Sequence, residues 1–402
     1  MKKITTLLTA IIGMAFMNQV SATHVTVEVP TAGQLSSLVQ NANCDSITIS
    51  GNLDGNDFWF IREQMPNLIY LNIGKVTVPD NKLPESGLYS KKALQKIILP
   101  DNLGTIGNHA FAYCSNLKDI TFPKSLVTIE YNAFYQSGLT EATLPDKLKN
   151  IGDAAFYECY NLKKVNFPEK LVSIGNSAFR QCNLSEIAFP DSLKAIGSNA
   201  FRYCQQLQKV TFPEKLETIG THAFNDCFRL HTATLKGKTA PVISDNTFNY
   251  TKVFYVPEGA AQTYKEAPNW SNLVIIDGNT PKKITVTLTT AGTLGEEILK
   301  QVDYVKQVNE LVINGPLNSD DFYQIQQQTT NLIAIDLIGA TIESLPENFF
   351  YERTALLDIK LPATLKNIGR YAFYRCHGLT QITIPEGVTN VGDYAFSECI
   401  SL

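Results

Sequence analysis

Eight cysteines, five histidines and a series of tyrosines and arginines are the groups in this 402-residue chain whose types invite chemistry. Seven of the cysteines, Cys114, Cys159, Cys182, Cys204, Cys227, Cys376 and Cys399, recur at one position of a repeating sequence, which Ser137 fills once. An even count in an exported chain invites disulfides, and neighbours about 5 Å apart in a stack lie within bridging distance. The register nevertheless points each cysteine inward as a small hydrophobe, a role serine can take while half of a bridge cannot, so buried free thiols are expected. Zinc ligands come in close cysteine pairs, which this chain lacks. His109 and His222 precede Ala-Phe pairs and His231 falls on a predicted strand, none with a Ser, Cys or Glu spaced as in a hydrolase or metalloprotease motif. Asp54-Gly55-Asn56-Asp57 resembles part of a calcium loop but lacks the bidentate glutamate, and its counterpart Asn318-Ser319-Asp320-Asp321 changes the ligands. A turn into a helix N-terminus is predicted there. No catalytic residue, cofactor site or metal site is assigned.

What remains is binding chemistry. Tyr113, Tyr135, Tyr157, Arg180, Arg202, Tyr203, Tyr374 and Arg375 occupy the two positions after a repeated Ala-Phe and form a row along one edge of the predicted repeats. Tyrosine and arginine dominate interface hot spots; the competing reading is that these side chains only stack on one another. The outward positions of the predicted strands, among them Lys164, Glu186 and Lys209, carry alternating charges that suit solvation and offer no aromatic anchor.

The elements that place these residues follow from Pro100, Pro123, Pro145, Pro168, Pro190 and Pro213, spaced by 23 and 22 residues in alternation, with Pro362 and Pro385 later. Each unit reads Leu-x-x-Ile-x-Phe-Pro and then Leu-x-x-Ile-Gly-x-x-Ala-Phe-x-x-Cys, as from Leu162 to Cys182. The first half alternates as a strand with one buried face, and proline ends it because it cannot donate to the ladder. Gly107, Gly152, Gly175, Gly197 and Gly220 mark a sharp bend where positive φ is expected, although Glu130 takes that place once. One such unit buries too little to fold alone, so the coils must stack and their ends need caps. A longer unit around Phe58-Trp59-Phe60-Ile61 is predicted to be a helix-backed first cap, and Val253-Phe254-Tyr255-Val256 with Tyr264 and Trp270 a closing one. Ile120, Ala142, Val165, Ile187 and Val210 are expected to be buried on parallel strands of one continuous sheet.

Lys2 and Lys3 precede an apolar stretch over residues 4–17, with Val20-Ser21-Ala22 after it, the pattern of a cleaved signal peptide over residues 1–22. The first cysteine is Cys44, so no N-terminal lipid is expected, and no later run suits a transmembrane helix. Without Lys2 and Lys3 the chain has 32 basic and 38 acidic residues, a net charge of −6, with the signs interleaved. Nucleic acid is a poor partner for such a surface.

After Asp277 the pattern restarts. Thr31-Ala32-Gly33 returns as Thr290-Ala291-Gly292, and Leu53-Asp54-Gly55-Asn56-Asp57-Phe58 as Leu317-Asn318-Ser319-Asp320-Asp321-Phe322. A tandem of two capped solenoids is therefore expected, residues 23–277 and 278–402. Leu402 aligns with the strand starts Leu117 and Leu379, so the second is read as incomplete. These units resemble the BspA-like leucine-rich repeats of bacterial surface proteins, and the Thr-Ala-Gly leader resembles the versions common in Bacteroidetes. The resemblance implies a β-rich solenoid with a parallel sheet on one face, exposure at the cell surface, and for some members adhesion to host matrix proteins or other bacteria. It implies no catalytic motif and supplies no ligand signature. The expected function is thus a non-catalytic exported scaffold without cofactor that binds a protein or glycan on a host or neighbouring cell; the alternative is a spacer for a domain beyond Leu402.

Overall fold

The computed structural model describes residues 24–278 and 280–402, so the leader assigned to residues 1–22 lies outside the described residues. The chain is a β-rich leucine-rich-repeat solenoid. Each coil contributes two strands, and every strand pairing is parallel.

The longest ladder is built by the second half of each repeat. Lys82–Leu83, Thr105–Ile106, Thr128–Ile129, Asn150–Ile151, Ser173–Ile174, Ala195–Ile196 and Thr218–Ile219 form one seven-stranded sheet, whose Ile side chains point into the core. The first-half strands, expected to form one continuous sheet, are instead divided into three. Asp119–Thr121 ends a five-stranded sheet, Glu141–Thr143 pairs only with Lys164–Asn166, and Glu186–Ala188 starts another five-stranded sheet. The cause lies in the turn before the strand. Cys114 to Leu117 and Cys159 to Leu162 span three residues, whereas Ser137 to Leu139 and Cys182 to Leu184 span two. The shortened turn pulls the next strand out of register with its predecessor, and both interruptions follow such a turn. Ile120 and Val165, which precede the gaps, are half-buried, while Ala142, Ile187 and Val210 are buried as expected.

The glycines after Ile act differently from expectation. None of Gly107, Gly152, Gly175, Gly197 and Gly220 has positive φ. They are required by close approach: a Cβ on Gly152 would stand 2.7 Å from the Ile129 carbonyl oxygen of the coil before. Positive φ falls instead on the residue before Ala-Phe and on the residue before the cysteine position, for example Asn132 and Gln136 (before Ser137), or Ser177 and Gln181. Left-handed backbone is disfavoured by roughly 1–2 kcal/mol for an L residue. Here it turns the amide towards the next coil, so that Asn132 N–H donates to the Asp153 carbonyl at 3.1 Å and Gln136 N–H to Tyr157 at 3.0 Å.

Phe111, Phe134, Phe156, Phe179, Phe201, Phe224 and Phe248 stack down the core, centroids 5.1–5.4 Å apart and planes within 12° of parallel. Both sets of coils open with the same staple. Asp54 caps α1 (Gly55–Gln64) in a capping box, as Asn318 caps α2 (Ser319–Gln328), which bears out the helix reading of both loops. The buried Asp57 carboxylate accepts from the N–H groups of Gly33, Leu35 and Asp54, and Asp321 repeats this with Gly292, Leu294 and Asn318. That is the physical content of the recurring Thr-Ala-Gly leader. The C-terminal carbonyls of the two helices are met by Lys91, which donates to Ile61 and Met65, and by Arg353, which donates to Ile325, Gln326 and Thr329. The first strand, His24–Val29, lies outside the helix-backed unit and forms the sheet's outer edge.

At the far end of the first set, Val253–Val256 and Val274–Asp277 extend the sheet, and Tyr264 and Trp270 are fully buried. Its outer face is not solvated: Val253, Val274 and Ile276 pack on Ile333, with Tyr255, Ala355 and Leu357 around them. The Tyr250 and His377 rings meet at 5.3 Å beside this cluster, and Ser401 Oγ donates to the Phe228 carbonyl.

A glycine inserted after Asn183 restores the three-residue turn and is expected to slow amide hydrogen exchange at residues 186–188; unchanged exchange there contradicts the turn-length account. The contact between the sets is also expected to depend on pH. Burial, then His377, holds the His231 imidazole below its ordinary 6.5. His377 is lowered by burial, then by Arg375 and Lys252, with Glu398 and Glu352 opposing. Both imidazoles bind a proton more weakly when packed, so the contact is fully stable above pH 6.5 and loses stability as the pH falls below it. Small-angle scattering between about pH 7.5 and about pH 5 should show extension that a His231→Gln/His377→Gln variant lacks.

Candidate functional site

Seven of the cysteines line up inside the coils as the sequence places them, each donating its thiol to a carbonyl of the preceding coil. Cys159 Sγ lies 3.0 Å from Phe134 O, Cys182 Sγ 3.1 Å from Phe156 O, and Cys204 Sγ 3.2 Å from Phe179 O. Ser137 stands in the same file, 3.3 Å from Cys159 Sγ. Burial pushes the thiols of Cys114, Cys159 and Cys204 up to about 12, which keeps them protonated and unreactive. Among the described residues no group of three or more His, Cys, Asp or Glu is placed to hold a metal ion, and no helix is long and apolar enough to cross a membrane.

The edge row is a physical object in the first set of coils. Tyr89, Tyr113, Tyr135 and Tyr157 contact one another in sequence at centroid distances of 5.3, 5.0 and 5.2 Å. Arg180 continues the row: its guanidinium carbon lies 5.3 Å from the Tyr157 centroid and 5.6 Å from that of Tyr203. Arg202 lies 4.7 Å over the other partner, Tyr203, and pairs with Asp226 at 3.2 Å. All six named residues from Tyr113 to Tyr203 are half-buried. The rings thus do stack on one another, and they keep an open side as well.

Two features separate Arg180 from its neighbours. Its Nε is buried without a hydrogen-bond partner, and among the described residues no carboxylate pairs with it, whereas Arg202 has Asp226. Beside it, Glu158 accepts from Gln136 Nε2 and from Tyr135 Oη. Burial raises the Glu158 carboxyl, but hydrogen bonds from Gln136, Tyr160, Tyr157 and Tyr135 outweigh this and hold it below its ordinary value.

Tyr374 and Arg375 belong to a different group. Tyr374 stacks with Tyr351 at 5.1 Å and meets Tyr371 edge-on at 5.4 Å; Arg375 is paired with both Glu352 and Glu398. The sequence reading missed Tyr89, Glu158, Tyr351 and Tyr371. Tyr89 follows Leu88 rather than Ala-Phe, which hid its register, and Tyr371 precedes its Ala-Phe. By contrast the strand face neutralises itself: Lys96 pairs with Asp119 at 2.7 Å, and Glu186 lies directly across from Lys209.

The sequence profile described as a BspA type leucine rich repeat region matches residues 81–193, 172–273 and 316–402, in six copies. The chain belongs to this family. Among solved structures, it is similar to a leucine-rich repeat protein from Bacteroides ovatus, at 21% identity over 94% of this chain and 85% of that one, TM-score 0.41. A leucine rich cell surface protein from Faecalibacterium prausnitzii is similar at 20% identity over 94% and 80% of the two chains, TM-score 0.38. The pneumococcal vaccine antigen PcpA is similar at 19% identity over 80% and 84%, TM-score 0.32. No curated protein matches. For this BspA-type chain the repeat carries the assignment.

The thiol file gives a direct test. Iodoacetamide applied to the native protein is expected to label the half-buried Cys399 ahead of the buried cysteines, and to label all of them after unfolding without reductant. Thiols that stay unlabelled in the unfolded chain would mean bridges in place of the hydrogen-bonded file.

Proposed function

We propose that this BspA-type chain is an exported, non-catalytic scaffold of two capped arrays, residues 23–277 and 278–402, that binds a protein at the surface of the cell carrying it. Export is supported by the charged and apolar leader over residues 1–22. Recognition lies on the Tyr/Arg row of the first array. The observation that carries this is Arg180, clamped between Tyr157 and Tyr203 with an unsatisfied Nε and no carboxylate partner among the described residues. Removing a guanidinium from water without a partner is unfavourable, and an incoming carboxylate supplies bidentate hydrogen bonds to it. The flanking tyrosines, already held by stacking, lose little conformational freedom on binding. The partner is therefore a host or neighbouring-cell protein presenting an Asp, Glu or other acidic group beside apolar surface, and the activity is adhesion.

Alanine at Tyr135, Tyr157 and Arg202 together is expected to weaken adhesion of the protein to matrix-coated or cell surfaces by at least about 2 kcal/mol, with the array still folded. Charge reversal at Lys164, Glu186 and Lys209 is expected to matter less, because exposed pairs contribute only about 0–1 kcal/mol each. Loss of adhesion in the second variant but not the first overturns the choice of face. Adhesion that survives deletion of residues 24–277 shows that the first array is only a spacer.

A further inference from the structure

The second set of coils carries a pocket that the repeat pattern does not require. It holds about 670 Å³ between the C-terminal end of α2 and the first two coils, lined by Gln326, Gln327, Glu347, Asn348, Tyr351 and Tyr371 among others. That is within the roughly 300–1,000 Å³ usual for small-ligand sites. The first set of coils supplies an internal control. Where Gln326 stands in the second set and donates to the Asn348 carbonyl at 3.4 Å, the longer Arg62 stands in the first and donates to the Ser86 carbonyl at 2.8 Å. Where Tyr374 stands, the first set has Ala112, and where Phe349 stands it has Gly87. Tyr351 has a counterpart in Tyr89, which meets Tyr113 edge-on, so what belongs to the second set alone is the flat Tyr351–Tyr374 pair with Phe349 beside it.

The chemistry of the lining selects a ligand class. Tyr351 is exposed and flat against Tyr374 at 5.1 Å and 21°, so one ring face is covered by the following coil while the side chain stays open to the pocket that Gln326 and Gln327 of α2 also line. Gln327 and Asn348 provide amide donors and acceptors around that open face, Gln326 adds an amide oxygen while its Nε2 donates to the Asn348 carbonyl, and Glu347 provides a carboxylate with no ion-pair partner among the described residues. An anion would meet Glu347, and Arg353, the cation that lines the pocket, is occupied by three helix carbonyls. A cation would have only the Tyr351 face left and would share the pocket with two guanidinium groups, Arg370 4.6 Å over Tyr371 and Arg375 5.1 Å over Tyr374. A neutral ligand with one apolar face and a polyhydroxyl rim satisfies both conditions. A pyranose ring has that form: its C–H face covers the tyrosine, and its hydroxyls exchange hydrogen bonds with amides and a carboxylate.

We propose that the pocket between α2 and Tyr351 binds a neutral sugar residue, such as an exposed unit of a glycan chain. The site is separate from the Arg180 row, so either can fail without the other. The test uses the full chain and methyl glycosides of glucose, galactose, mannose and N-acetylglucosamine, read by saturation-transfer difference NMR. At least one glycoside is expected to bind in the millimolar range or tighter. Its affinity is expected to fall by about tenfold or more in Tyr351→Ala and in Gln327→Ala, and to persist in Tyr351→Phe, which keeps the ring. Tyr135→Ala, on the first row, is expected to leave it unchanged. The proposal is overturned if none of the glycosides binds, if binding is equal in the wild type and Tyr351→Ala, or if only choline or an acidic peptide saturates the site.

Discussion

The distance between consecutive coils governs this protein. Parallel strands repeat at about 4.8 Å, the phenylalanine file repeats at 5.1–5.4 Å, and both must advance together along the same axis. Any residue inside the stack therefore meets its own counterpart above and below, and the same side chain must suit that place in each coil. This explains why Phe, Ala, Leu and Cys recur with so little variation. It also explains why glycine follows Ile, where a Cβ would strike the preceding backbone, and why a cysteine thiol can reach a carbonyl one coil back. Where a turn loses one residue the stack persists on the Ile side but the ladder parts on the other.

The same constraint leaves freedom only at the outside of the coils, and the surfaces differ in how they use it. The strand face pairs its charges internally, and at the closing strands it is covered by apolar contacts with the second set of coils. The edge after Ala-Phe carries side chains long enough to touch the next coil's, so tyrosines and arginines there form continuous rows rather than isolated anchors. Stacking fixes their rotamers before any partner arrives, and half-burial leaves part of each side chain open. A row preorganised in this way gives up less entropy on association than the same residues on a mobile loop.

Much of this was legible in the sequence because stacking imposes identity. The repeat, the thiol file, both helix caps and the buried Tyr264 and Trp270 follow from residue type at a fixed spacing. The broken sheet was legible only by counting residues from Cys182 to Leu184 against Cys159 to Leu162, a difference of one that leaves the hydrophobic pattern intact. Positive φ was misplaced onto the glycines because its real carriers, such as His109, Asn132 and Ser177, share no side-chain property; an inter-coil backbone bond holds them. The outer face of Val253–Val256 could have been suspected from its lack of alternation, since Val, Phe, Tyr and Val leave no polar side for water. The tyrosine pocket in the second set depends on α2 lying beside Tyr351, a long-range relation that spacing within one repeat does not encode.

If stacking in register is the principle of the fold, one whole coil is removable where part of a coil is not. Deletion of residues 146–168 joins Pro145 to Glu169, brings Phe134 against Phe179 and keeps every repeat position in place. The thermal unfolding of that variant, followed by circular dichroism, is the most direct measurement. The account predicts a folded protein with one cooperative transition at a modestly lower temperature, while deletion of half that segment abolishes the transition. A whole-coil deletion that unfolds the protein as completely as the half-coil deletion would contradict it.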